Sequence, residues 1–175
     1  GIRDRSPSRG LGDVYKRQVL QVNVKSQVPG ERGLPKHPVN HCFATVQGLD
    51  GDHNVFRQTK KKGDKDMAIL VYPMETIEEL NLEGWPVKPG DVGENLTVKG
   101  YSHDAFKIGQ QYEAGNVIIE ISLECDPCNS LRLLPYVGQE HVKTFMKTMM
   151  HRRGWYASIV KEGGVRPGDP FRLIE

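Results

Sequence analysis

The chain has 175 residues, a formal net charge of +2, 37% hydrophobic residues and three cysteines. That length suits one globular domain with its own core, and no apolar run approaches the ~18 residues of a membrane helix. An odd, small number of cysteines argues against a disulfide scaffold and for a reducing compartment, so a cytoplasmic location is expected.

The first eighteen residues are expected to lie outside the fold. Asp13-Val-Tyr-Lys-Arg-Gln18 and Ile2-Arg-Asp-Arg5 resemble two reading frames of the short transposon end used in preparing sequencing libraries. Residues 1–18 therefore read as translated adapter, and the domain as 19–175, with its natural start missing. The segment holds five Lys/Arg and two Asp, so without it the charge of +2 becomes −1. The electrostatic case for a nucleic-acid partner goes with it.

Val19–Val24 alternates apolar and polar residues and predicts a first strand. Gly33-Leu-Pro-Lys-His-Pro-Val39 predicts a turn leading to a strand over His41–Val46, and Lys60–Lys65 a solvated charged loop. Met67–Tyr72 reads as a buried strand, followed by a helix over Met74–Leu82 with Ile77 and Leu80 inward. Asn95–Lys99 is a further strand, and Gln110–Ala114 with Asn116–Leu123 form a hairpin around Gly115. Gln139–His151 predicts a helix whose Val142, Phe145 and Met149 share one core face. Trp155–Lys161 and Phe171–Ile174 close the sheet, joined by a turn over 163–170. Short strands with few helices and no βαβ alternation predict a mostly-β barrel with helical insertions.

Three segments carry the chemistry. Val117–Cys128 is a β-branched strand that delivers two cysteines to a turn, Cys128 directly behind Pro127. A thiol fixed at a strand end by a rigid X-Pro turn suits a soft metal ligand or a nucleophile. Pro89–Leu96 and Gly48–His53 are tight glycine turns bearing Asp, Glu, Asn and His, which with that thiol read as a small-ligand site. Cys42 is expected in the core. Cys42 and His41 point to opposite faces of their strand, so they do not complete a zinc site with the other cysteines.

Seven landmarks in one order resemble the MOSC family, the domain at the C-terminus of molybdenum cofactor sulfurases. They are Gly33–Val39, Gly48–His53, Asp66-Met-Ala68, Gly90–Leu96, Pro127-Cys128, Gly154-Trp-Tyr156 and Gly168-Asp169, and they span 19–175 at the length of small stand-alone bacterial members. The resemblance implies a MOSC-type β-barrel, a pterin-based molybdenum cofactor (molybdopterin) and a cysteine that binds molybdenum or carries a persulfide. It places that cysteine at Cys128 as catalytic residue and metal ligand. It also places Lys36, Asp52, His53, Glu94 and Asn95 at the cofactor. Trp155 and Tyr156 are expected to pack the barrel. Many small members have Arg-x-Pro-Cys where this chain has Cys125-Asp-Pro-Cys128, which makes Cys125 a candidate resolving thiol.

Two functions of different class remain open on the sequence. One is a molybdenum-dependent oxidoreductase reducing N-hydroxylated or N-oxide small molecules. The chain has no iron–sulfur cysteine spacing and no GxGxxG segment, so this function needs a separate electron-donating reductase. The other is a sulfur or cofactor carrier with a persulfide on Cys128 and no turnover of its own.

Overall fold

The computed structural model describes residues 17–174, so all but the last two residues of the expected adapter segment lie outside the described residues. Strand β1 (Gln18–Val24) pairs antiparallel with β2 (His37–Val39) on one side and with β6 (Leu96–Lys99) on the other. From β6 the sheet continues through β5 (Ile69–Pro73), β9 (Trp155–Lys161), β8 (Val117–Glu124) and β7 (Gln111–Ala114) to β11 (Phe171–Ile174). A second sheet of three strands has the order β10 (Gly163–Val165), β3 (Cys42–Thr45), β4 (Gly48–Leu49).

The protein is mostly β, but the eight-stranded sheet is not closed into the expected barrel: β11 and β2 end its ladder. The start of β1 nonetheless meets the segment leading into β11. Val19 N–H donates to Asp169 O and Gly168 N–H to Val19 O, both at 2.8 Å. An isolated bridge joins Gln18 to Pro170.

Further sequence expectations need correction. β5 and β6 pair in parallel, with helix α2 (Met74–Leu82) in the connection, so one βαβ unit is present. A parallel pair cannot be joined by a hairpin, and α2 supplies the crossover while burying Ile77 and Leu80. A further helix, α1 (Val55–Lys60), precedes the lysine loop, capped by Asn54, whose side chain accepts from Arg57 N–H at 3.0 Å. The expected turn over 163–170 contains β10, which pairs with β3. Likewise β2 falls inside the stretch expected as a turn, Gly33–Val39. The other predicted elements fall within three residues of their expected bounds, among them helix α3 (Gly138–Thr148) with Val142, Phe145 and Met149 buried.

Two apolar clusters hold the fold. One lies between the sheets and gathers β1, β5, β6, β8 and β9 around Tyr101, Phe106, Tyr112 and Phe171, whose rings contact one another. Cys42 belongs to this cluster. The other packs α2 and α3 beneath the segment that follows Cys128, around Tyr72, Leu131 and Phe145.

Candidate functional site

The two glycine turns meet. Asp52, from the turn after β4, accepts from Lys36 Nζ at 2.6 Å and Asn95 Nδ2 at 2.8 Å on Oδ2, and from Lys25 N–H at 2.8 Å on Oδ1. Asn95 acts as a surrogate peptide between two strands. Its backbone N–H donates to Leu70 O and its carbonyl accepts from Asn23 N–H; its side-chain oxygen accepts from Leu70 N–H, and its side-chain amide also donates to Asn23 O. Those bonds tie β1 and β5 to the residue that precedes β6.

Gly90 sets how closely Lys36 can approach. Lys36 N–H donates to Gly90 O at 2.8 Å. Gly90 has φ +93°, and a Cβ built there would collide with Lys36 O. Only glycine accepts both that conformation and that contact. One turn on, the fully buried Glu94 accepts from Gly90 N–H at 2.6 Å and Thr97 Oγ1 at 2.8 Å through Oε1, while Oε2 has no hydrogen-bond partner among the described residues. Burial pushes the Glu94 carboxyl above its ordinary value.

The thiols arrive from the other side. β8 ends at Glu124; Cys125 N–H then donates to Gly154 O at 2.9 Å, which aligns the Cys125–Cys128 turn along the entry to β9. Cys128 is extended and exposed, and its carbonyl starts the 3-10 turn Asn129–Leu133 by accepting from Leu131 N–H. Cys125 is buried, and burial pushes its thiol above the ordinary range, so it is protonated at neutral pH. Gly154, at φ +105°, lets β9 lie close to β5: a Cβ there would stand 2.9 Å from Val71 O. Gly154 N–H donates to Nε2 of the buried His103 at 3.0 Å, which makes that nitrogen the unprotonated one.

Between these segments lies a cavity of about 450 Å³. Lys36, Cys125, Cys128, Arg153 and Tyr156 line it, with Arg32, Lys60 and Lys61 among its cations and Glu124 and Asp126 among its acids. Apolar wall comes from Leu34, Met67, Leu70, Val92 and Leu123. Asp52, His53, Glu94 and Asn95 are not lining residues. Asp52 and Asn95 support Lys36 from behind, Glu94 holds Gly90, and His53 is half-buried with its backbone N–H on Lys25 O. Tyr156, expected as packing, faces the cavity.

Arg153 was not singled out by sequence reasoning. It is 5% exposed, and its Nε and Nη1 are buried without a hydrogen-bond partner among the described residues. Burial works against its charge, while the anionic forms of Cys125, Tyr156 and Cys128 would favour it; the balance raises its pKa and it stays cationic. Lys36 differs. Burial pulls its pKa down, Asp52 pulls it back, and the 2.6 Å contact pairs its charge within the protein. The only signal for Arg153 in the sequence is its place next to Gly154-Trp-Tyr156.

Fold and site together define a β-rich protein with an exposed thiol at a cationic cavity. A model of the MOSC domain matches residues 58–172, and the chain belongs to the MOSC domain family. It is 26% identical over 148 residues to YflK of Bacillus subtilis, covering 82% of this chain and 64% of that protein. It is 27% identical over 142 residues to a protein of Gibberella moniliformis named as a reductase, covering 76% of this chain and 24% of that one. The crystal structure of YiiM from Geobacillus stearothermophilus superimposes with a TM-score of 0.70 at 26% identity, over 91% of this chain and 75% of that one. The chain thus spans less than two thirds of the curated relatives it matches.

Proposed function

We propose that the protein binds a pterin-based molybdenum cofactor, with the metal held by the Cys128 thiolate, and reduces N-hydroxylated or N-oxide small molecules with electrons from a separate reductase. The observation that carries this reading is the exposed Cys128 at a cavity lined by the buried Arg153, two of whose guanidinium nitrogens have no hydrogen-bond partner among the described residues. A soft anionic sulfur suits a high-valent metal, and an unmatched buried cation suits an anionic pterin phosphate. The residues present therefore fit the group. When bound, the cofactor supplies two-electron redox chemistry at its metal. Cys128 would hold it from the exposed end of the turn and Arg153 would neutralise its anionic end. Lys36 would stay clamped to Asp52, and Leu34, Val92 and Leu123 would keep water from the apolar part of the pterin. Membership of the MOSC family and the reductase-named relative support the same reading.

A carrier of sulfur as a Cys128 persulfide is favoured by one observation, that Cys125 lines the same cavity. Its burial as a neutral thiol weighs against attack by Cys125 on such a persulfide. Molybdenum per chain, measured on protein from a cofactor-competent host beside Cys128→Ser, separates the two. Near-stoichiometric metal that is lost in the variant, with reduction of an N-hydroxy compound by an artificial electron donor, is expected. Labile sulfane sulfur without metal would sink the enzyme reading.

A further inference from the structure

Among the described residues three Lys/Arg side chains are buried, and their surroundings differ. Lys36 is paired with Asp52 at 2.6 Å. Arg57 is 4% exposed, and its guanidinium donates to the carbonyls of Asp64, Gln47 and Gly63. Arg153 is as deeply buried, yet two of its nitrogens have no hydrogen-bond partner among the described residues. Buried polar groups are almost always hydrogen-bonded, and an unpaired buried charge is costly, so such an exception calls for a partner from outside the chain. Arg153 is among the residues that line the cavity, so a partner bound there lies beside it.

The neighbours narrow the partner's chemistry. Cys125 and Tyr156 are protonated at neutral pH because burial raises both, so neither supplies a counter-charge. Glu94 is buried nearby, but its free oxygen makes no hydrogen bond to Arg153. Arg32 and Lys60 add positive charge to the same walls. A guanidinium offers planar donors matched to an oxyanion, more specifically than an ammonium does.

We infer that Arg153 anchors an oxyanion site in the cavity, taking a phosphate monoester or an equivalent tetrahedral anion, while Lys36 is a structural cation of the Lys36–Asp52 pair. The inference deepens the proposed function, because the terminal phosphate of a pterin cofactor is one source of that group. The other source is a free or substrate-borne phosphate.

The test uses the full chain from a host that cannot make the cofactor, with inorganic phosphate as the probe. Binding is followed by isothermal titration and by thermal melting in a phosphate-free buffer. Wild type is expected to bind saturably and to melt higher as phosphate is added. Arg153→Met is expected to melt above wild type without phosphate, because it removes an unpaired buried charge. It should also bind phosphate about tenfold or more weakly, the usual loss for a charge-assisted bond. Arg153→Lys should lie between, and Arg152→Ala should bind as wild type does. If Arg153→Met melts lower than wild type in phosphate-free buffer, the guanidinium is paired inside the protein and the inference falls. It also falls if wild type and Arg153→Met respond to phosphate alike. Cofactor-loaded chain distinguishes the sources. Loss of phosphate binding assigns the site to the cofactor's own phosphate; retained binding assigns it to a free or substrate anion. Saturable, Arg153-dependent phosphate binding by a chain that takes up no molybdenum would sink the proposed function and leave this inference standing.

Discussion

Breaking the Lys36–Asp52 pair from either side should be among the most damaging single changes near the cavity. The two side chains are 3% and 7% exposed and 2.6 Å apart. At that distance and an effective dielectric of about 20, the gross attraction is about 6 kcal/mol. Desolvation offsets part of it, but deleting one partner leaves the other charged and buried, at a cost of about 3–5 kcal/mol. Lys36→Met leaves the Asp52 carboxylate two donors, Asn95 Nδ2 and Lys25 N–H, which temper its loss. Asp52→Asn is worse placed: with its oxygen on Lys25 N–H, its amide faces the Lys36 ammonium and the Asn95 amide, donor against donor. Against a total stability of about 5–15 kcal/mol, each loss is readily measured by urea unfolding. The double variant Lys36→Met/Asp52→Asn should cost less than the sum by about 2 kcal/mol or more. Single losses below about 1 kcal/mol, or additivity within about 0.5 kcal/mol, would refute the pairing.

Glu94 sets a pH dependence. Its folded pKa is raised above the ordinary 4.5 by burial, so the folded state holds the proton that the unfolded state releases. Its contribution is complete below 4.5 and is lost as pH rises through the folded value. Glu94→Gln should remove that decline, read as urea midpoints from acid to neutral pH for both proteins; parallel curves would contradict it. Gly90→Ala, at φ +93° and against Lys36 O, should cost about 2 kcal/mol or more and lower metal uptake in a cofactor-competent host. A thiol reagent should label Cys128 quickly in the native protein, and Cys42 and Cys125 only on unfolding; three equally fast thiols would argue against the burial described.

Periodicity made much of the fold legible. β1, β8 and α3 each carry an apolar spacing that one face of the core explains, and their buried residues follow it. α1 is harder to see: only six residues long, it lies beside a lysine run, and its plainest sign is the capping Asn54. The parallel pairing of β5 and β6 is invisible locally, because neither strand's sequence names its neighbour. Barrel closure is likewise a property of the strand ends. Among the described residues, the approach of β1 to the segment leading into β11 rests on three backbone hydrogen bonds that most residues could make.

The site divides along similar lines. A glycine turn or an X-Pro-Cys turn is written in local residues, so the meeting of Gly48–His53 with Gly90–Leu96 and the exposure of Cys128 are continuous with the sequence. What a buried cation does depends on whether the fold brings it a counter-charge. Lys36 resembles an open cation in sequence because Asp52 lies sixteen positions away. Arg152 and Arg153 look interchangeable, but Arg152 reaches outward to both oxygens of Glu83, at 2.6 and 2.9 Å, and Arg153 turns inward. The chain leaves α3 through His151 at φ +58° and enters β9 through Gly154 at φ +105°, so adjacent side chains between them face opposite environments. The described residues supply a carboxylate for Lys36 and three carbonyls for Arg57 but no hydrogen-bond partner for two nitrogens of Arg153. That difference makes Arg153 the strongest candidate for a cation kept for a ligand.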